Sequence, residues 1–395
     1  MDSLLEGVRI LDLTRVLAGP YASMVLADLG AEVIKVELPS SGDESRGFGP
    51  FQNGESAYFT SVNRGKKSVT IDLRQERGRD LALGLAETCD VLVENFRPGS
   101  MDRFGLGYET VHAKYPQLVY ASISGFGQTG PYAQRPAYDV LIQAMGGLAS
   151  ITGEPNSPPV RVGSSIADLS AALFGAVGIL AALQRASRTG EGQQIDISML
   201  DCQVALLENA LARYAVSGEV PQPLGSRHPA ITPFQFFAVS DGHIVLAAGN
   251  DGLWRKLCTA LGLLDLIEDS RFADNALRTE NHAALEPLLA EVLADKTVAE
   301  WCEVLVQAGV PSGPLCDVGE VFNDEQIAAR EMIVEIDHPI AGRQAMPNSP
   351  LKFSQTPIQL QRPAPLLGQH TEEVLRDMLD LGTDEITGLR ADGVI

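Results

Sequence analysis

Val8-Arg9-Ile10-Leu11-Asp12-Leu13-Thr14-Arg15 carries the first and clearest signal of the fold. It is a short apolar run closed by polar residues, the pattern of a strand buried on both faces. Gly19-Pro20 follows, then residues 21–29 with helical spacing that stops at Gly30, a helix C-terminal signal. Residues 31–37 read as a second strand. The pattern recurs: residues 75–88 form an amphipathic helix, 91–93 a strand and 118–124 another. Strand, helix and strand repeated at this spacing predict an α/β fold, its mostly parallel sheet covered by helices on both faces. Ligands in such folds sit at the carboxyl ends of the strands. The loops after Leu13, Glu37, Val93 and Ser124 are therefore the ones to inspect.

Further along, residues 166–183 predict a buried helix, entered by Gly163-Ser164-Ser165 and left at Thr189-Gly190. Residues 193–199 alternate like a strand and 200–217 are helical. Residues 221–233, with four prolines and Gly225, look like a linker. Beyond it, residues 234–239 and 243–247 flank Ser240-Asp241-Gly242, a hairpin signal. Helical segments run from there to about residue 330, which predicts a smaller α+β domain. A strand near Val334-Glu335-Ile336 and two short helices close the chain. Its 395 residues are too many for one compact core, so two domains are expected.

The formal net charge of −21 argues against nucleic acid and anionic membranes as partners. It is uneven. Residues 1–200 hold 17 Lys+Arg against 22 Asp+Glu, net −5; residues 201–395 hold 13 against 29, net −16. An anionic ligand is expected to meet the N-terminal half. The longest apolar stretches, such as residues 169–183, fall short of the roughly 20 residues a membrane helix needs. Met1-Asp2-Ser3-Leu4-Leu5-Glu6 lacks the basic start of a signal peptide, which makes a cytoplasmic protein the expectation. Cys89, Cys202, Cys258, Cys302 and Cys316 are odd in number and widely spaced, so neither a disulfide framework nor a zinc site is expected.

Three motifs invite competing readings. Gly125-Phe126-Gly127-Gln128-Thr129-Gly130 fits GxGxxG, but Pro131 and Pro136 forbid the helix that must receive a pyrophosphate, so a loop is the better reading. Arg15, Arg46, Arg64, Arg74, Arg97 and Arg103 recur near element ends, where they suit a polyphosphate or simply pair with the 17 acids of residues 1–110. Asp168 lies in Ser165-Ile166-Ala167-Asp168 before the long apolar run. That is a capping-box spacing. Equally, a carboxylate facing a ligand cleft there can attack an acyl carbon. Spacing does not choose between the two.

Taken together, these residues resemble the class III coenzyme A transferases, the group containing formyl-CoA transferase and carnitine CoA-transferase. The likeness rests on residues 7–14, Ala18-Gly19-Pro20 and 29–37, then Gly42-Asp43, Asn63-Arg64 with Lys66-Lys67-Ser68, and 93–99. It continues through 124–131, Tyr138-Asp139, Asp168, 189–193 and 365–371. The resemblance implies an interlocked homodimer. Residues 1–200 and 331–395 would form a large doubly wound, Rossmann-like CoA-binding domain, 201–225 a linker and 226–330 the small domain.

The family nucleophile falls on Asp168. Its CoA contacts fall on Val16, Leu17, Ile71, Asp72, Leu73, Arg74, Asn95, Phe96, Arg97, Arg103, Tyr138 and Asp139. The mobile glycine loop falls near Gly249 and Asn250. Leu38 stands where relatives often carry a nucleotide-contacting arginine. Leu13 to Pro20 and Ala248-Gly249-Asn250 are most similar to the succinyl-CoA:glutarate type, with Arg15 suited to a distal carboxylate and formate or oxalate disfavoured. The implied activity is CoA transfer to a dicarboxylic acid through an aspartyl-CoA thioester, with CoA thioester as substrate and no metal or permanent cofactor. The alternative is a 2-methylacyl-CoA racemase of the same fold.

Overall fold

The computed structural model describes residues 3–360 and 362–395. The chain divides into two compact units. The first comprises Met1–Leu148, Arg161–Leu211 and Gln326–Ile395, the second Ala149–Val160 and Ala212–Glu325. The stretch 201–225, expected to be a linker, instead carries most of the helix Met199–Leu206 and all of Glu208–Ser217. Helical spacing persists to Ser217, and prolines enter only after it.

The first unit is built on six parallel strands: β1 (Arg9–Asp12), β2 (Glu32–Glu37), β3 (Lys67–Thr70), β4 (Val91–Glu94), β5 (Val119–Ser124) and β6 (Gln194–Ser198). Their order is β3-β2-β1-β4-β5-β6, the doubly wound order that turns back between β1 and β4. Both faces of the sheet are covered, which is why the β1 run is apolar without alternating. Ile10, Val33, Val93 and Ala121 pack on one face under the helices α1 (Ala18–Asp28) and α2 (Ile166–Thr189). Leu11, Ile34, Leu92 and Tyr120 pack on the other, under the helix Glu76–Glu87 and the C-terminal helices Thr371–Leu379 and Thr383–Ala391. The chain's end thus supplies part of this layer, with Val374, Leu375, Ile386 and Leu389 in its core.

Helix α2 spans 24 residues and is apolar enough, by length and composition, to cross a membrane. It leaves at Thr189-Gly190 as the sequence predicts, but its apolar stretch is longer than the expected residues 169–183. Its inner face is nearly all small residues: Ala167, Ser170, Ala171, Ala172, Gly175, Ala176 and Ala182 are buried beside Ile179. Small residues let it lie close against the sheet and α1. It ends at Gly190, whose φ of 73° is the left-handed C-cap conformation.

The second unit contains a three-stranded antiparallel sheet. The hairpin Phe234–Val239 and Gly242–Ala247 turns at Ser240 and Asp241, and Ser312–Pro314 adds the third strand. Trp254, Phe272, Leu289 and Trp301 centre its own helical core.

Candidate active site

Beneath the loop after β1 lies a buried ionic network. Asp12, fully buried, accepts from Thr14 N (2.8 Å), Thr14 Oγ1 (2.5 Å), Ser23 Oγ (2.6 Å) and Lys66 Nζ (3.0 Å). Burial alone would raise its pKa; Lys66, Lys35 and the two hydroxyls overcome that and hold it well below the usual carboxylate range. Lys66 itself is lowered by burial to about 8 despite Asp12. Lys35 Nζ donates to Thr14 O (2.7 Å) and pairs with Asp43 (2.8 Å).

This network fixes the loop above it. Val16 N donates to both oxygens of Asp43, at 3.1 and 3.2 Å. Arg15 N donates to Asn95 Oδ1, and Asn95 Nδ2 donates to Arg15 O, both at 2.8 Å. The loops after β1 and β4 are therefore tied side by side at the turning point of the strand order. Between the two clamps Val16 adopts a φ of 67°. A β-branched residue there is strained, by about 1–3 kcal/mol. Glu94, buried at the end of β4, accepts Phe96 N at 2.8 Å and so holds the next loop; burial raises it to about 7.

These loops wall a cavity of about 320 Å³ at the carboxyl ends of the strands. Arg15, Val16 and Leu17 contribute from β1, Asn95, Phe96 and Arg97 from β4, and Ser124 and Gly125 from β5. A side chain at position 125 would collide with Ala137, so this close approach needs glycine. Residues 125–130 form a loop and the next helix, Asp139–Met145, starts well beyond it, as the proline spacing predicts. Tyr138 and Asp168 complete the wall.

Asp168 does not act as a capping residue. Ser165 makes no side-chain cap, and no hydrogen bond or ion pair reaches the Asp168 carboxylate among the described residues. The start of α2 is capped from elsewhere: Asp139 Oδ1 accepts Ala167 N (2.9 Å) and Oδ2 accepts Gln143 Nε2 (2.7 Å). Gln143 Oε1 in turn accepts Val162 N at 2.9 Å. Burial first, and the negative charge of Asp139 second, push Asp168 to about 7. Tyr58 stands in the same field: burial and the charges of Asp168, Asp43 and Asp139 all push its phenol up.

A second cavity, about 270 Å³, shares Arg15, Glu44 and Phe96 with the first. Its walls include Leu38, Phe104 and the expected contacts Ile71, Asp72, Leu73 and Arg74, with Arg74 paired to Asp72 at 2.8 Å. Arg103 lines neither cavity and bonds Ser100 Oγ at 2.9 Å. Asp139 sits behind the wall as the cap of α2. Gly249 and Asn250 belong to the second unit, where Asn250 Oδ1 caps the helix Asp251–Leu261. Tyr58, Gln143 and Glu44 were not singled out by sequence reasoning. The spacing of Asp139 and Gln143, four apart on one helix, is the one signal that pointed to any of them.

A family model described as CoA-transferase family III matches residues 5–371. The chain belongs to that family. The transferase is 42% identical over 392 residues to the succinyl-CoA:glutarate CoA-transferase of Mus musculus, covering 99% of this chain and 90% of that protein. It is 44% identical over 366 residues to the acetyl-CoA:oxalate CoA-transferase of Acetobacter aceti, covering 92% and 93%. A CAIB/BAIF family protein from Brucella suis has the same fold, with a TM-score of 0.85 at 41% identity over 96% of this chain and 100% of that one.

Proposed function

We propose that this enzyme transfers coenzyme A from an acyl-CoA donor, succinyl-CoA, to a free dicarboxylic acid, with Asp168 as covalent nucleophile. The observation that carries the reading is a carboxylate without hydrogen-bond partners among the described residues, in the wall of a cavity at the strand ends. A carboxylate raised to about 7 is more basic, and so more nucleophilic, than an ordinary one, yet half ionised near neutrality. Relatives with succinyl-CoA and glutarate in their names support the donor and acceptor. The Acetobacter aceti relative is named for oxalate, so kinship to it leaves that acid open as an acceptor.

In this reading Asp168 attacks the donor thioester carbonyl, forming a mixed anhydride and expelling CoA thiolate. The thiolate attacks the aspartyl carbonyl, releasing the donor acid and leaving an aspartyl-CoA thioester. The acceptor carboxylate attacks that thioester to form a second anhydride and free the thiolate again. Attack by the thiolate on the acceptor's carbonyl then yields the new acyl-CoA and regenerates Asp168. Each step exchanges bonds of similar energy, so the protein's task is positioning and the exclusion of water. The amide of Ala167 is already used by Asp139, so the oxyanions draw on other donors. Arg97 and Arg135, in the cavity wall with no carboxylate partner among the described residues, suit anionic groups of CoA or acid. Among the described residues the cavity wall holds no histidine, which disfavours the racemase reading.

Val16, Leu17, Asn95, Phe96, Arg97 and Tyr138 in one cavity, and Ile71 to Arg74 in the other, are the CoA contacts in this proposal; Arg103 and Asp139 act indirectly. We further read the enzyme as a cytoplasmic, interlocked homodimer. Leu173 (51% exposed), Phe174 (47%) and Val177 (64%) form an uncovered stripe on α2 that suits such a partner. Sedimentation as a monomer at micromolar concentration would remove the dimer. Incubation with succinyl-CoA should attach CoA to the Asp168 peptide by mass spectrometry, and Asp168→Asn should abolish turnover while the protein stays folded. Wild-type turnover in that variant refutes the mechanism.

A further inference from the structure

Arg15 and Glu44 form an ion pair, Nη1 to Oε1 at 2.9 Å, in the partition between the two cavities. Their backbones and their charged heads are held very differently. Arg15 is clamped at N and O by Asn95. Glu44 opens the short helix Glu44–Gly47, whose cap Asp43 is buried, accepts Ser45 N at 2.9 Å and is paired to Lys35. The heads, by contrast, are about half exposed, 46% for Arg15 and 54% for Glu44. Arg15 also lies over the Phe96 ring at 4.6 Å, so its guanidinium plane is set from below. The contact to Glu44 uses one nitrogen, and no other protein acceptor meets that guanidinium among the described residues.

A guanidinium binds a carboxylate best through two parallel N–H donors, and here it holds one oxygen through one. An exposed pair of this kind is weak and exchangeable. A second carboxylate arriving in the cavity can therefore replace it.

We propose that Glu44 is a specificity-determining residue, its carboxylate occupying on Arg15 the place taken by the far carboxylate of a dicarboxylic substrate. This rests on the dicarboxylate reading above and deepens it. A diacid must displace Glu44 to reach Arg15. A monoacid leaves the pair intact, and Glu44 spares Arg15 from standing unpaired in a filled, water-poor cavity. The resident carboxylate thus narrows the preference for diacids and keeps monoacids tolerable.

The test measures transfer from succinyl-CoA to glutarate and to pentanoate, equal in chain length, by wild type, Glu44→Gln, Arg15→Gln and the double variant. Glu44→Gln should lower KM for glutarate about threefold, the size of effect an exposed pair carries, while KM for pentanoate stays level or rises. Arg15→Gln should raise KM for glutarate about tenfold and erase the effect of the second substitution. An unchanged glutarate-to-pentanoate ratio in Glu44→Gln overturns the proposal, as does an effect of Glu44→Gln that survives in the Arg15→Gln background. If wild type labels Asp168 yet transfers to no diacid, the dicarboxylate reading fails and takes this proposal with it. A normal diacid activity with an unmoved ratio sinks Glu44 alone.

Discussion

Asp12 and Asp168 belong to the same unit and flank the same layer of helices, yet their surroundings are opposites. Asp12 is enclosed by two lysines and two hydroxyls and stays ionised far below the usual range. Among the described residues Asp168 has no cation and no donor; burial and Asp139 push it to about 7. The network round Asp12 supports the strand-end loops. The other carboxylate is kept without partners beside a cavity, a state that costs stability and leaves it available to react. Asp12, with its counter-charges built in, is structural; Asp168, which has none among the described residues and faces the cavity, marks the place where chemistry is expected.

The sharpest way to break this contrast is one substitution at both positions. Asp12→Asn leaves Lys66 and Lys35 buried without their shared partner, and should cost about 3–5 kcal/mol in urea unfolding at pH 7. A folded pKa below the unfolded one stabilises above the unfolded value, about 4, so the penalty should shrink as pH falls below that. A loss under 1 kcal/mol would mean the network is not a unit.

Asp168→Asn should go the other way. Its folded pKa, about 7, lies above the unfolded one, so the native state binds more protons between about 4 and 7 and loses stability as pH rises. Removing the charge should gain on the order of 2 kcal/mol at pH 8, and the gain should vanish toward pH 4. A destabilised variant at pH 8 would show that the carboxylate has a native partner after all.

The asymmetry also explains what could be read from sequence. The β1 run was legible because both its faces are buried, and the loops at strand ends followed from it. Asp12 sits in that run with nothing to mark it, since Lys35 arrives from β2 and Lys66 from the turn before β3, and only folding brings them together. Asp168 was visible but undecided. Its spacing from Ser165 fits a cap, and the group that caps the helix instead, Asp139, lies 28 positions before Ala167. Tyr58 and Glu44 carry no local signature, because their importance lies in which charges they face.

Asp139→Asn sharpens the contrast further. It keeps an acceptor for Ala167 N and removes the charge that raises Asp168. The acid limb of the pH–kcat profile should move to lower pH, with the fold intact by circular dichroism. A merely structural Asp139 would lower activity at every pH without moving the limb.

Val16 joins the two regions, and its substitution should have the smallest effect on stability. Its amide is held by Asp43 of the ionic network, while its residue walls the cavity beside Asp168. Val16→Gly relieves the strain at a φ of 67° but gives the unfolded chain more freedom and removes a partly buried side chain. These changes oppose one another, so unfolding free energy should shift by about 1 kcal/mol or less. The catalytic effect should be larger. Glycine keeps the backbone bonds to Asp43 and Asn95 but frees the turn between them, which presents Leu17 and the Arg15 head less firmly, and kcat/KM should fall about tenfold. Should Val16→Gly gain stability and keep full kcat/KM, the strained turn serves only to join β1 to α1, and the ionic network would be separate from catalysis.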